Sequence, residues 1–510
     1  MPRWSKAVLA ASVLVALHVY LAAGVADAQA AGAADALAAD LEKILADANL
    51  GKTVAAVHVV ALSAPPAHTR NEVLFSVRPD APLVPASTMK LLTTAACLDR
   101  LGPDWRIRTH VGRLPSPGKK GQWDLAIIGG GDPNFSGRFW NGDTVGAFRR
   151  WAEILKSRGV TAVERVILDD TLFDRELVHP NWPADQRAEW YEAPVGALSI
   201  NDNCLNVHVS AAGVGEPARV WLEPPGCGAR VEGTIQTVAD RKEHRFSLER
   251  VADAGGLLIR AAGRYWAEAP EAVECRTLDD PTRVFGASLV HTLRRCGIAV
   301  EGGVVRGRLT EPGGEARKDF VCDLVHTSRL DAAVTVANKR SQGLYAECLM
   351  KLLGAYGLTP KAATPLPARQ GSWASGTEEV RRWLAERGIP SAGCVIDDGS
   401  GLSKENRLTA FAVVQVLATM HRLYDARFVA TLAVAGRDGS LQKRMRDTAA
   451  EGRVYAKTGY VRGASALSGY VYANSGRVVA FSILMNDVPW GELWKARLAQ
   501  DKIAIRLVDY

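Results

Sequence analysis

Ser87 and Lys90 are the residues whose types and spacing most directly suggest chemistry in this chain. They stand three apart in Ser87-Thr88-Met89-Lys90, and residues three apart share one face of a helix. A serine hydroxyl is a poor nucleophile at neutral pH and needs a base, which a lysine can be when burial lowers its pKa. A helix N-terminus also offers a backbone N–H to a developing oxyanion. The spacing therefore predicts a serine nucleophile with a lysine base.

Two further S-x-x-K matches, which begin at Ser116 and Ser440, limit what this spacing shows by itself. The first lies in a Pro/Gly loop with no apolar helix after it, and the second leads into a charged stretch, so we interpret both as chance. Ser87 differs, because Pro85 precedes it and an apolar run with helical spacing follows. A capping serine with a solvated lysine is the alternative for this motif alone.

Lys457-Thr458-Gly459 occurs once, on a strand-like run that opens a β-rich C-terminal region. A strand beside a nucleophile can pair with an extended peptide. Lys457 would supply a cation for a substrate carboxylate, Thr458 a hydroxyl donor, and Gly459 would let a backbone approach closely. The N–H of Tyr460 could complete an oxyanion hole. A surface Lys-Thr-Gly turn is the alternative.

The motif set that combines S-x-x-K with K-T-G has an S-x-N triplet as its third element. We expect this element at Ser341, which joins two predicted helices and lies after the β-rich region and before Lys457. The only literal S-x-N triplet begins at Ser199. We favour Ser341, because a serine between two helices can project into a cleft.

Hydrophobic periodicity predicts the elements that must position these residues. The runs 53–62 and 72–77 read as a hairpin around Pro65-Pro66, and the C-terminal strands read as a meander. The predicted strands are 53–62, 72–77, 124–128, 165–168, 205–209, 256–259, 454–457, 464–472 and 477–485. The predicted helices, besides one after Ser87 and one at each end around Leu37–Leu45 and Leu493–Leu507, are 143–158, 285–296, 330–338, 342–354, 376–387 and 408–423.

Helix-rich and sheet-rich segments at both ends, with a β-rich block between them, predict one split domain that holds an insertion. The expected fold class is α/β, an α+β sandwich. We predict an export signal at 1–30, from Arg3, Lys6, an apolar run and small residues near position 28. An uncleaved anchor is the alternative. The split domain is expected at 31–104 and 326–510, and the β-rich insertion at 105–325.

Composition and missing motifs exclude several classes of protein. The net charge of +7 is small for 510 residues, and no Lys/Arg block is present, which disfavours nucleic-acid binding. The eight cysteines include no C-x-x-C pair, and no H-E-x-x-H or G-x-S-x-G motif occurs. The Gly-rich run at 129–133 lacks the spacing of a dinucleotide loop. We therefore expect no cofactor and no metal.

These motifs match the set found in penicillin-recognising enzymes. The motifs and the segments around them occur in the same order along this chain as in one family. The chain closely resembles the D-alanyl-D-alanine carboxypeptidase/endopeptidase family of low-molecular-mass class C penicillin-binding proteins, peptidase family S13. The resemblance runs from about residue 35 to the C-terminus. The segments that carry it are 85–94, 130–133, 168–173, 193–199, 398–403, 436–441 and 457–470.

The resemblance implies a penicillin-binding transpeptidase-like (β-lactamase-like) domain, split by a large insertion between Ser87 and Ser341. It implies that Ser87 is acylated, that Lys90 is its base, and that Ser341 relays a proton to the leaving D-alanine. Lys457 would stabilise that relay and bind the terminal carboxylate. The implied partners are peptidoglycan stem peptides and β-lactams, met by a periplasmic or secreted protein with no membrane span after signal cleavage.

Three residues make the implied site less certain. Asp169 resembles an acidic residue that contacts the amine of a diamino-acid side chain, and Phe173 lies near it. A turn-capping aspartate and a core phenylalanine are the alternatives. Gly343 stands where the family has Asn, for which Gln342 or Asn338 could substitute. A catalytically impaired homologue that binds wall peptides, or a serine β-lactamase, is therefore the alternative function.

Overall fold

The computed structural model describes residues 32–63, 71–253, 256–358 and 366–510. The predicted signal at 1–30 and the Pro65-Pro66 turn lie outside the described residues. The chain divides into two compact units. Unit one combines the described residues up to Pro85 with Leu408–Tyr510, and unit two is Ala86–Arg407. This division assigns the helix after Ser87 to the unit that holds the β-rich region. The domain boundaries expected near residues 104 and 325 stay a prediction.

Unit one is built on a six-stranded antiparallel sheet assembled from both ends of the chain. Elements are numbered along the whole chain, and the strand order in this sheet is β16-β17-β18-β19-β1-β2. The bounds are β1 Val54–Ala61, β2 Glu72–Val77, β16 Ala433–Val434, β17 Val454–Val461, β18 Ala464–Tyr472 and β19 Val478–Asn486. The helices of this unit are α1 (32–47), α8 Ala410–Tyr424, α9 Ala426–Val429 and α10 Leu493–Val508.

Helices cover both faces of this sheet, because its central strands carry apolar side chains in both directions. Ile483 of β19 belongs to the core formed with α1 and α10. The next residue, Leu484, packs with Ala410 of α8. Successive strand residues point to opposite faces, so α8 lies on the face opposite α1 and α10. Residues 464–471 of β18 are accordingly all buried.

Unit two has a helical part and a β-rich part. The helical part is formed by four helices that pack around α2 and α6, and Ser87 lies just before the start of α2. Two helices pack on the largest sheet of the β-rich part through a core that contains Trp151 and Phe285. The bounds are α2 Met89–Leu101, α5 Leu330–Lys339, α6 Gly343–Tyr356 and α7 Trp373–Glu386 for the helical part, and α3 Gly146–Ser157 and α4 Pro281–Arg295 for the β-rich part.

The strands of unit two form one large sheet and three small ones. The large sheet has the order β14-β6-β4-β3-β15, and the small sheets are β12-β7-β8, β10-β11-β9 and β13-β5. The bounds are β3 Arg106–Pro115, β4 Trp123–Ile128, β5 Ala162–Val163, β6 Val166–Asp169, β7 Cys204–Ser210, β8 Arg219–Glu223, β9 Arg230–Val238, β10 Arg245–Asp253, β11 Gly256–Trp266, β12 Ala272–Thr277, β13 Ala299–Val300, β14 Val304–Arg306 and β15 Val321–Arg329.

Short 3-10 helices complete the structure, and one of them carries Ser87. Their bounds are Ala86–Thr88, Gly137–Phe139, Ala184–Gln186, Trp190–Glu192, Asn201–Asn203, Arg241–Glu243 and Gly439–Leu441. The mixture of helices and sheets confirms the predicted α/β class, and the N-terminal hairpin strands and C-terminal meander occur as predicted. No helix formed by the described residues combines the length and the hydropathy that a membrane crossing requires.

Gly401 fixes the turn that carries Ser87. Ala86 has a left-handed backbone, with φ of 47°, which strains a residue with a side chain. Gly401 has φ of 81°, and a Cβ there would lie 1.8 Å from the carbonyl oxygen of Ala86. The chain can approach this turn so closely only because position 401 lacks a side chain.

We expect Gly401→Ala to lower the free energy of unfolding by about 2–4 kcal/mol, since it adds left-handed strain to an overlap with main-chain atoms. Urea unfolding followed by tryptophan fluorescence measures the loss. Gly388→Ala is the matched control, because Gly388 has φ of 64° but nothing within 4 Å of an added Cβ. It should lose about 1 kcal/mol through strain alone. Equal losses in the two variants would contradict the proposed close approach.

Candidate active site

The structure brings Ser87 and Lys90 together at the start of α2. The Nζ of Lys90 lies 3.1 Å from the Oγ of Ser87 and donates to the carbonyl oxygen of Ser400 at 2.7 Å. Lys90 is only 2% exposed, whereas Ser87 is partly accessible. A neutral amine held in this way can keep its bond to the carbonyl and accept the serine proton. The contact that the S-x-x-K spacing predicts is therefore present.

Burial makes Lys90 a usable base near neutral pH. Desolvation lowers its pKa from 10.5 to about 8, while the charges of Glu347 and Asp398 oppose that shift. A lysine titrating near 8 has a substantial neutral fraction under physiological conditions. The amine can therefore take the proton of Ser87 without a metal or a histidine.

Glu347 of α6 binds the backbone of Ser400, whose carbonyl oxygen accepts the hydrogen bond of Lys90. Its carboxylate accepts the backbone N–H of Ser400 at 2.7 Å, the N–H of Gly399 at 2.9 Å and the indole N–H of Trp373 at 2.8 Å. Burial, and then the charge of Asp398, raise the pKa of Glu347 to about 7. Glu347 thus fixes the 399–400 backbone and influences the pKa of Lys90.

Asp398 organises the rest of the same loop. It accepts the backbone N–H groups of Gly401 at 2.7 Å and Ser403 at 2.8 Å. The Asn406 amide and the Trp182 indole each donate to it at 2.8 Å. The carboxylate is fully buried, and these four donors satisfy it. The loop is therefore rigid where it meets Ala86 and Lys90.

The turn between α5 and α6 carries Ser341 and lies beside this loop. Ser341 has φ of 57°, again a left-handed backbone for a residue with a side chain. A Cβ on Gly343 would lie 3.9 Å from the Cβ of Ser400 and 3.1 Å from the carbonyl oxygen of Tyr191. The start of α6 and the Lys90 amine therefore both lie next to Ser400.

Asn338 and Gln342 are the two amide side chains that could replace the Asn that the family has at position 343. Each of them donates its amide N–H to another side chain. Asn338 is fully buried, and its amide N–H donates to Thr94 Oγ1 at 3.2 Å. The amide N–H of Gln342 donates to Asp202 at 2.8 Å. Both side chains therefore stabilise the surrounding structure of unit two.

Lys457, Thr458, Gly459 and Tyr460 lie on β17 of unit one, on a strand as predicted. Lys457 is fully buried, and its Nζ donates to the carbonyl oxygen of Thr458 at 2.8 Å. Thr458 donates to the Oγ of Ser440 at 2.9 Å, and Tyr460 is 48% exposed. β16 pairs only with residues 455 and 456 of β17. Among the described residues, no strand pairs with the same edge along 457–461, so the main-chain groups of that edge have no strand partner.

The side chains of Asp169 and Phe173 are buried and make structural contacts. The carboxylate of Asp169 accepts the N–H and hydroxyl of Thr171 at 2.9 and 2.6 Å and the N–H of Leu309 at 2.6 Å. Phe173 is fully buried, and its ring lies 2.5 Å from where a Cβ on Gly131 would be. These contacts support the turn-capping and core alternatives, and we leave both residues out of the proposed substrate site.

The other serine motifs have structural contacts too. Ser199 is buried, donates to the carbonyl of Gly196 at 3.3 Å and accepts from Asn203 at 3.1 Å. Lys119, the partner expected for Ser116, instead donates to Glu164 at 2.5 Å. Interpreting these motifs as chance matches is consistent with their geometry.

Sequence reasoning missed Glu347, Asp398 and Ser400 as site residues. The segment 398–403 was part of the family resemblance, but it carried no assigned role. A carboxylate on an apolar helix, as at Glu347, is a usable signal, because buried carboxylates are rare unless they are hydrogen-bonded.

A buried lysine beside a serine at a helix start defines a serine acyl-transfer site of the penicillin-binding class. The chain belongs to the D-Ala-D-Ala carboxypeptidase 3 (S13) family, whose profile matches residues 37–506. It is 35% identical over 507 residues to a D-alanyl-D-alanine carboxypeptidase from an Actinomadura species, covering 96% of this chain and 88% of the relative. The prediction of a serine-type D-Ala-D-Ala carboxypeptidase is thus confirmed.

Solved structures show the same fold. Penicillin-binding protein 4 from Haemophilus influenzae matches with a TM-score of 0.72 at 20% identity, covering 93% of this chain and 99% of that one. The same protein complexed with a novel β-lactam matches with a TM-score of 0.67 at 21% identity, covering 91% and 97%. The expected penicillin-binding fold is confirmed.

The pKa of Lys90 predicts how acylation depends on pH. Only the neutral amine can accept a proton, so the second-order rate of acylation by benzylpenicillin should rise with pH and level off above an inflection near 8. Glu347→Gln removes a negative charge that raises this pKa, so its inflection should lie lower. Stopped-flow fluorescence over about pH 6 to 10 measures both profiles.

Glu378→Gln is the matched control for this charge change. Glu378 is exposed on α7 and paired with Arg369, so its removal should leave the inflection in place. A wild-type rate that does not change with pH, or that still rises at about pH 10 without levelling off, would show that Lys90 is not the desolvated base.

Proposed function

We propose that Ser87 attacks the D-Ala-D-Ala amide of a wall peptide, that an amine leaves, and that water hydrolyses the acyl-enzyme. The observation that carries this proposal is the 3.1 Å contact between Ser87 Oγ and the buried Nζ of Lys90. As the serine oxygen bonds to the carbonyl carbon, its proton passes to the lysine amine. The N-terminal end of α2 stabilises negative charge on the carbonyl oxygen.

Ser341 is proposed to pass the proton on to the leaving D-alanine. It lies on the α5–α6 turn, and Gly343 of that turn adjoins Ser400, the residue that orients Lys90. A hydroxyl both donates and accepts, so it can move a proton between the lysine and the leaving nitrogen. Its left-handed backbone is the kind of strain that persists where the surrounding structure holds a functional residue in place.

The edge of β17 along 457–461, which has no strand partner among the described residues, is proposed to bind the peptide as an added strand. Main-chain groups along 457–461 would pair with the substrate backbone, and the exposed Tyr460 would border its side chains. Lys457 would supply the cation for the terminal carboxylate, with the hydroxyl of Thr458 as a further donor. Gly459 would keep the edge free of a side chain.

Penicillin should acylate Ser87, because a β-lactam presents an amide and a carboxylate to the same groups. The relative that carries a β-lactam supports this proposal. We therefore expect a fluorescent penicillin to label the wild-type protein and to leave Ser87→Ala unlabelled. Gel fluorescence, with intact mass to count adducts, measures the result.

Ser116→Ala is the control, since it changes the first residue of another S-x-x-K motif and should keep full labelling. Labelling that persists in Ser87→Ala, with the adduct on another residue, would refute the assignment of the nucleophile.

Gly343 favours a second candidate, a family member that acylates normally but turns over slowly. In the family, the Asn amide at this position binds the substrate backbone. Here Asn338 and Gln342 donate to Thr94 and Asp202. Losing one preorganised donor costs roughly 10²–10³ in rate where this has been measured.

We expect Gly343→Asn to raise kcat on a D-Ala-D-Ala peptide by about tenfold or more, through a restored donor. Release of D-alanine in a coupled assay measures it. Gly343→Ala is the matched control, because it adds the same Cβ 3.1 Å from the Tyr191 carbonyl oxygen without an amide. If the Asn variant is no faster than the Ala variant, position 343 does not limit turnover.

The proposed partners and location follow from this chemistry. We propose that the protein acts outside the cytoplasm on peptidoglycan stem peptides, which is where its substrate would be. The carboxypeptidase relative and the predicted export signal at 1–30 support this. A serine β-lactamase is disfavoured, because the S13 family profile spans nearly the whole chain.

A further inference from the structure

Unit two contains a cavity of about 330 Å³ whose wall is rich in cationic side chains. It lies among the start of β3, the 308–314 loop and residues 366–370, and neither Ser87 nor Lys90 lines it. We call it the arginine cleft. The residues that define it are Trp105, Arg106, Arg108, His110, Arg308 and Tyr356.

Within the described ranges, two arginines of the cleft form no ion pair, and Arg106 also makes no side-chain hydrogen bond. The carboxylate on which the charge of Arg106 acts, Asp331, is already paired with Arg329. Arg308 donates to main-chain carbonyl groups alone. Arg369 on the same wall differs, because it pairs with Glu378 at 2.7 Å. The lining of the cleft therefore has more arginine side chains than carboxylates.

The polar groups of the cleft are mainly donors. Asp169 is its acidic lining residue, and protein donors already occupy both oxygens of that carboxylate. The indole N–H of Trp105 is buried and has no hydrogen-bond partner in the described part of the chain. Such a surface repels an amine and attracts an acceptor with negative charge.

We propose that the arginine cleft binds a phosphate group, either free or as an ester on a larger molecule. Guanidinium groups match the geometry of phosphate oxygens and bind them through charge-assisted hydrogen bonds. Two unpaired guanidinium groups favour a doubly charged phosphate over a singly charged carboxylate.

The apolar part of the wall gives an ester room for its organic portion. Trp105 and Tyr356 meet edge to face with ring centroids 5.4 Å apart, and Leu366 and Pro367 line the same cavity. A cavity of this size holds a small phosphate ester or one repeating unit of a phosphodiester polymer. This binding goes beyond the proposed peptidase activity and does not depend on it.

Isothermal titration at constant ionic strength in a Tris buffer tests the proposal, with inorganic phosphate, glycerol 3-phosphate, a poly(glycerol phosphate) oligomer and acetate as probes. We expect at least one phosphate probe to bind the wild-type protein more tightly than acetate. Arg106→Gln combined with Arg308→Gln should weaken that binding about tenfold or more. Tighter binding of the oligomer would indicate a polymer, and tighter binding of the small probes a free phosphate or monoester.

Arg219→Gln combined with Arg295→Gln is the matched control. Both arginines are exposed and lie outside the cleft, so this variant has the same net charge as the first and should bind phosphate as the wild type does. Benzylpenicillin acylation, measured on all three proteins, should be unchanged, which separates a failure here from a failure of the peptidase proposal. No phosphate binding to the wild type, equal acetate binding, or equal losses in both variants would overturn the assignment.

Discussion

Removal of the Lys90 amine from water is the interaction on which the rest of the site depends. At 2% exposure, the ammonium form loses its hydration, and the nearby carboxylates Glu347 and Asp398 restore part of that loss. The balance places the pKa of Lys90 near 8. At this value part of the amine is neutral and can accept the serine proton, and the protonated amine can later give that proton up. Ser87 is reactive in this account because its neighbour is buried in this way.

The surrounding structure can be understood as the means of keeping that amine buried and oriented. Glu347 and Asp398 bind the 398–403 backbone through its N–H groups, and this places the Ser400 carbonyl against Nζ. Gly401 then lets the same loop contact the strained turn at Ala86. Two buried carboxylates, a loop and a helix start therefore form one continuous, hydrogen-bonded support.

Sequence periodicity and spacing could predict the helices, the meander, the Ser87–Lys90 contact and the placement of Lys457 on a strand, because all of these depend on local pattern. They could not assign Glu347 or Asp398, whose roles depend on contacts with distant segments. For Asp169 the sequence left a substrate contact and a turn-capping role open, and only the structure shows that its carboxylate accepts from Thr171 and Leu309. The family resemblance identified the positions, and only the structure shows what each side chain contacts.

The most direct test of the central claim is the titration of the Lys90 side chain itself. NMR of protein carrying ¹³C-labelled lysine, assigned by comparison with Lys90→Met, reports the protonation of this one amine as pH is raised. We expect a midpoint near 8. A midpoint near 10.5, the ordinary value for a solvated lysine, would contradict it.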